Sequence, residues 1–182
     1  LTLLEATAIL RKRGLDAMLL ATCALHPDPS SSAHEVEIRS AIRRLALDDS
    51  VRLVTDYLDP DTSVDILSTS DILVLAYEAT SESSSAALRG VLPTGRPIVT
   101  SDLPIFEDVA TVVEQLAAPI NPLDLANLLE ELWLDEGRRE LLAARVHEFT
   151  VRTSWRQTAR ATRELYWDLI SGRSDERPST DE

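Results

Sequence analysis

Glycine, cysteine, methionine and the aromatic residues are all scarce in this chain, which has five Gly, one Cys, one Met and 4% Phe, Trp and Tyr among 182 residues. A single cysteine, Cys23, cannot form an intrachain disulfide. No Cys/His cluster has metal-ligand spacing, so disulfide scaffolds and structural zinc modules are excluded and a reducing compartment is suited. Cations are also short: 18 Lys and Arg stand against 31 Asp and Glu, a net charge of -13. A nucleic-acid partner, which needs clustered basic residues, is therefore not expected. Long apolar runs are missing too, since none approaches the roughly 18 to 20 residues of a membrane span. The opening LTLLEATAILRKRG reads as an amphipathic helix rather than a signal peptide. The expected location is the cytoplasm, with at most a peripheral membrane association through some other part of the protein.

What is present is an ordinary globular composition, 44% hydrophobic and 27% charged, in a chain long enough for one domain with a real core. Leu1 opens directly in helix-like sequence, so a piece of a longer chain is expected. Leu3, Ala6 and Leu10 share helical spacing. Arg11, Lys12 and Arg13 then gather where cations meet a helix C-terminus, and Gly14 ends it. DAMLLATCAL (16–25) is a short unbroken apolar run closed by the turn-rich HPDPSSS, as in a central parallel strand buried on both faces. Residues 33–47 read as a helix, VRLVTDYL (51–58) as a strand, 61–70 as a helix and ILVLAY (72–77) as a further buried strand. SSSAALRGVL reads as a helix, RPIVTS after Gly95 as a brief strand, DLPIFEDV as a short helix opened by Pro104, and TVVEQL as a last strand.

This alternation predicts a Rossmann-like α/β domain, a parallel sheet flanked by helices over residues 1–171. From Asn121 onward the pattern is helical. Asn121 can cap, Pro122 fits the first turn, and Leu125, Leu128, Leu129 and Leu132 form one stripe. In the final helix Trp155, Ala159, Thr162, Tyr166 and Leu169 recur on one face behind a capping Ser154, which calls for a packing partner. Residues 172–182 contain no apolar side chain and are expected to be disordered.

Ligands of parallel sheets gather at the carboxyl ends of the strands, so the loop after ILVLAY, with Tyr77, Glu78 and Ser81–Ser85, is the first candidate site. It runs into a helix start, where unpaired N–H groups can meet an anion and small serines permit close approach. By local chemistry alone, Ser83 or Ser84 serves equally as an N-cap and Glu82 as a favourable charge at a helix start. His26, His34 and His147 read as surface residues. Trp133, Trp155 and Trp167 read as packing residues rather than sugar platforms.

The segment YEATSESSSAALRGVLPTGRPIVTSDLPIFEDV (77–109) resembles the donor-binding segment of family 4 retaining GT-B glycosyltransferases. In that family a Glu-containing loop, E-G-F-G, begins a helix, and a Gly followed by R-P-V/I-V comes thirteen residues later. Glu82 and Gly95 have that separation. VRLVTDYLDPDTSVDILSTSDILVLAY resembles the strand, short helix and strand that precede it, and SWRQTARATRELYWDLI resembles the terminal Ser-Trp helix. The likeness covers residues 1–171.

The resemblance implies that Glu82 meets donor-sugar hydroxyls and acts as the catalytic residue, while amides around Ser83, Ser84, Ser85 and Ala86 hold the diphosphate. Arg89 is a candidate cation beside the nucleotide, and Thr55, Asp56 and Tyr77 are candidate nucleoside contacts. The expected substrate is a nucleoside-diphosphate sugar, with no cofactor and no required metal. The expected reaction is hexosyl transfer to a saccharide or lipid-linked acceptor, as in polysaccharide or glycoconjugate synthesis. The family's second Glu, eight residues after the first, is here Gly90, a departure that touches ribose recognition. The family's basic pair, the first strand of this half and the acceptor-binding domain would all precede Leu1, so residues 1–182 alone are expected to be inactive. Two alternatives stand beside this: a degenerate GT-B domain serving as a binding scaffold, suggested by Gly90, and a sugar-nucleotide 2-epimerase of similar architecture.

Overall fold

The computed structural model describes residues 1–25, 28–80 and 82–171. His26, Ser81 and the tail 172–182 lie outside the described residues. Two compact units are present, Leu1–His147 and Glu148–Glu182, and the division falls within a helix.

In the first unit strands and helices alternate as their apolar patterns require: α1 (Thr2–Lys12), β1 (Leu19–Thr22), α2 (Pro29–Arg44), β2 (Val51–Val54), α3 (Pro60–Leu67), β3 (Leu73–Leu75), α4 (Ala86–Val91), β4 (Ile98–Asp102) and β5 (Glu114–Ala117). A 3-10 turn, Leu92–Thr94, extends α4, and a second, Pro104–Val109, follows β4. Helix α5 (Pro122–Leu134) and the part of α6 (Glu136–Arg152) up to His147 complete it. Asp59 caps α3 through the Thr62 amide, and Asn121 caps α5 through the Leu123 amide at 2.8 Å, each with proline in the first turn. Gly14, at φ +88, and Gly95, at φ +63, take left-handed conformations behind the first helix and the 3-10 turn.

All strand pairing is parallel, in two sheets: β1 beside β2, and β3-β4-β5 with β4 in the middle. The central strand is the most buried, with Ile98, Val99, Thr100 and Ser101 all at 0% exposure. Strand β1 differs from its expectation. It pairs on one side only, and Leu19, Leu20 and Ala21 are half-buried while Thr22 is exposed. Among the described residues β1 has a single partner, β2, and a strand at a sheet edge is less completely covered by the flanking layers than one in the middle.

Helix α1 serves both sheets because its apolar residues fall into two stripes. Leu4 and Ala8 pack with Ala41, Ile42, Leu47 and Val51 on the β1-β2 side. Ala6 and Leu10 join Val99, Ile120, Leu125 and Leu132 on the β3-β4-β5 side. Residues four apart stack on one helix face, and two positions apart they lie on nearly opposite faces, so one helix can enter two cores. Arg13 ties its end to α5 through Glu130 at 2.5 Å and Asn127 at 2.8 Å.

In the second unit, Ser154 caps α7 (Trp155–Ile170) through the Gln157 amide, as its position predicts. The stripe on that helix does not find the partner its spacing calls for: no residue of α7 is buried, and Trp155 and Trp167 are 88% and 69% exposed. Trp133, on α5, is likewise half-exposed, with Arg139 over its ring. Among the described residues, these tryptophans are therefore not part of a buried core.

Candidate functional site

The site begins where β3 ends. Residues 76–85 run from the carboxyl end of β3 to α4, and one side chain on each flank of that loop fixes its course. Tyr77 Oη and Ser85 Oγ lie 3.1 Å apart in hydrogen-bond contact. The Tyr77 ring packs edge-on against Phe106, at 5.1 Å and 62°. Its carbonyl accepts a bond from Ser101 Oγ at 2.7 Å. A fully buried serine on the central strand thus holds the backbone at the start of the loop. Burial removes competing water, so such a bond confers more positional restraint than an exposed one.

Ser85 is the N-cap of α4: its hydroxyl accepts the Leu88 amide at 3.1 Å and its residue is 3% exposed. The sequence allowed Ser83 or Ser84 for that role, and neither takes it. Both are exposed and lie before the helix. The reason is tertiary, since Tyr77 and the hydrophobic seat of Leu88 draw Ser85 rather than its neighbours inward. Ala86 and Ala87, the first two helical residues, are also exposed. The helix itself has six residues, so its macrodipole is short.

An open cleft of about 330 Å³ lies against this loop, lined by Ser83, Ser84, Pro104, Ile105, Glu107 and Asp108. Four of the six come from the 3-10 turn after β4, whose Ile105, Phe106 and Val109 are buried and anchor it. Both walls therefore stand at carboxyl ends of neighbouring parallel strands, the rim at which α/β sheets bind ligands. Glu82 is exposed just before the cleft, its amide bonded to Thr80 Oγ1 at 3.2 Å.

Arg89 forms an ion pair with Asp108 across the cleft edge, with both side chains about half-exposed. Sequence reasoning named the arginine and missed the acid, along with Ile105 and Glu107. Asp108 is nineteen residues from Arg89, and only the turn opened by Pro104 hints that the two meet. Gly90 points a hypothetical Cβ into open space, with no atom within 4 Å. Thr55 and Asp56 follow β2, in the other sheet. Thr55 accepts the Leu25 amide at 3.1 Å and Asp56 is exposed, and neither lines the cleft. His34 and His147 are exposed, as their surface reading predicts.

Parallel strands flanked by helices, with a cleft at the strand ends, define a Rossmann-like domain, and its fold matches the C-terminal half of the GT-B glycosyltransferase fold. Solved structures carry this assignment. Sucrose-phosphate synthase from Thermosynechococcus elongatus matches at a TM-score of 0.70 and 17% identity, over 94% of this chain and 43% of that one. A glycosyltransferase from Rickettsia africae matches at 0.69 and 15%, over 96% of this chain and 45% of that one. The Anabaena protein HepE, in complex with UDP, matches at 0.66 and 13%, over 92% and 52%. At these identities the likeness is one of fold. The chain spans about half the length of the structures it matches. No family model matches the chain, and no curated protein matches it in sequence.

Proposed function

We propose that this chain is the nucleotide-sugar donor-binding half of a glycosyltransferase. The observation that carries the proposal is the open cleft at the carboxyl rim of β3 and β4, walled by the exposed Ser83 and Ser84. Support comes from the structural likeness to HepE, which was solved with UDP and with UDP-glucose. In this reading the nucleoside diphosphate lies against the amides of Ser83 to Ala86. As the leaving group departs, negative charge builds on it, and preorganised amides stabilise that charge as it develops. Glu82 receives hydroxyls of the donor sugar, and a hexosyl group passes with retention to a saccharide or lipid-linked acceptor bound elsewhere in the protein. In this reading no metal takes part, and the charge is met by the amides and by Arg89 once it turns from Asp108 to the diphosphate. Tyr77 acts mainly by holding Ser85, and Thr55 and Asp56 approach the nucleoside from the β2 side.

One observation favours a second reading, a non-catalytic GT-B domain. Glu107 and Asp108 place carboxylates at the cleft, where they oppose a diphosphate, and Arg89 pairs with one of them. Gly90 offers no carboxylate to a ribose.

Calorimetric titration of nucleoside diphosphates into the full-length protein separates the two. Donor binding predicts saturable heat below millimolar ligand, weakened by Arg89→Ala, and no heat at millimolar levels contradicts it. In the full enzyme, Glu82→Ala lowers kcat/KM about 10- to 100-fold, the loss expected for one hydrogen bond to a charged group. An unchanged value removes Glu82 from the donor-sugar role.

A further inference from the structure

The two walls of the cleft beside α4 suit different chemical groups. On one side stand Ser83 and Ser84, exposed and just ahead of the helix, where amides can meet an anion. The other wall is the 3-10 turn after β4, and it is acidic. Among the described residues the cleft lining holds no cation: its charged side chains are Glu107 and Asp108, both exposed, and Arg89 at the edge is already held by Asp108. Like charges brought together in a partly desolvated cleft repel, so this wall is a poor seat for a phosphate. It is a good seat for a group that donates hydrogen bonds, because an ionised carboxylate only accepts and has room for several donors. Exposed Pro104 and the Ile105 side chain add an apolar strip against which the C–H face of a sugar ring can rest. Ile105, at 3% exposure, and Phe106, at 0%, anchor the turn, so the carboxylates that follow are carried on a fixed backbone. Size points the same way: about 330 Å³ lies at the low end of the ~300–1,000 Å³ of small-molecule sites, a seat for one portion of a nucleotide sugar rather than for all of it.

We infer that Glu107 and Asp108 read the sugar of the donor and restrict it to a neutral hexosyl group. The hydroxyls of such a sugar donate to the two carboxylates, whereas a uronosyl donor brings a carboxylate of its own against them and is rejected. Asp108 is shared with Arg89 and keeps lone pairs for a hydroxyl. Glu107, beside it on the same turn, is the main discriminator by charge. The inference rests on the donor-binding reading and deepens it. It gives the acidic wall a use, where the non-catalytic reading leaves those carboxylates only opposing a nucleotide.

Calorimetric titration of the full-length protein with UDP, UDP-glucose and UDP-glucuronate tests it, since the two sugars differ only in carrying a hydroxyl or a carboxylate at C6. The wild type is expected to bind UDP-glucuronate at least about tenfold more weakly than UDP-glucose, because like charges face each other in the first complex alone. In Glu107→Gln, whose amide can donate to a uronate, the gap is expected to shrink to about threefold or less. Glu107 is exposed, so the substitution spares the core, and an unchanged thermal midpoint checks that the fold is kept. Equal affinities for the two sugars in the wild type overturn the inference while UDP binding still stands. So does a gap that survives undiminished in Glu107→Gln. No saturable heat with any of the three ligands overturns the donor-binding reading itself, and this inference with it.

Discussion

Strands β4 and β1 carry similar aliphatic runs and end in different surroundings. Ile98 to Ser101 on β4 are wholly buried, even the two hydroxyl side chains, whereas no residue of β1 is buried. The brief RPIVTS looks like the lesser strand, and the longer DAMLLATCAL looks like the central one. The difference lies in neighbours: β4 has a partner on each edge and β1 has one. An apolar run reports the environment a strand is suited to, and only the pairing shows whether the described chain supplies it.

The largest test of that contrast is a pair of truncations measured by urea denaturation. Ile98→Ala empties a site at 0% exposure and is expected to destabilise by about 3 kcal/mol, while Leu20→Ala on half-buried β1 is expected to stay near 1 kcal/mol in residues 1–182. Equal effects at both positions break the comparison.

A smaller effect concerns the outer edge of the β4 sheet. Arg138 on α6 donates to Glu114 of β5 at 2.9 and 3.1 Å and to Glu131 of α5 at 3.2 Å. The Glu114 hydrogen bonds, above all, hold its guanidinium more firmly protonated than usual. The group is about one-third exposed, so solvent screens it, and Arg138→Ala is expected to destabilise by about 0.5 kcal/mol or less, shrinking further in 1 M salt. A loss of several kcal/mol, unaffected by salt, contradicts a screened surface pair.

The smallest effect lies beside β2. Hydrogen bonds from the Thr62 hydroxyl and amide hold the Asp59 carboxyl below its ordinary value of 3.8. A depressed folded pKa stabilises the protein above the unfolded value, and the contribution fades as pH falls through the folded one. The stability gap between the wild type and Asp59→Ala is therefore expected to narrow below pH 3.8, and a gap that widens there contradicts the capping role.

Element order was the most legible layer, because strand runs, helix stripes and caps are local. Asn121 with Pro122, Ser154, and Pro104 ahead of its turn all stand in the roles their positions suggest. The site was legible to the level of its loop. Which serine caps α4 was not, because Tyr77 and Leu88 decide it through contacts that sequence spacing does not carry. Asp108 was illegible as the partner of Arg89 for the same reason. The α7 stripe shows the opposite limit: its period and cap are plain, yet spacing alone does not say what covers Trp155 and Trp167.

The central claim is that the rim of β3 and β4 receives a nucleoside diphosphate. Its most direct test is residue-resolved NMR of the full-length protein titrated with UDP. Saturable shifts are expected at the amides of Ser83 to Ala87 and at Ile105 to Asp108, with Ser50 and Thr69 unmoved. Saturable binding that leaves the cleft amides still and shifts another surface would contradict it.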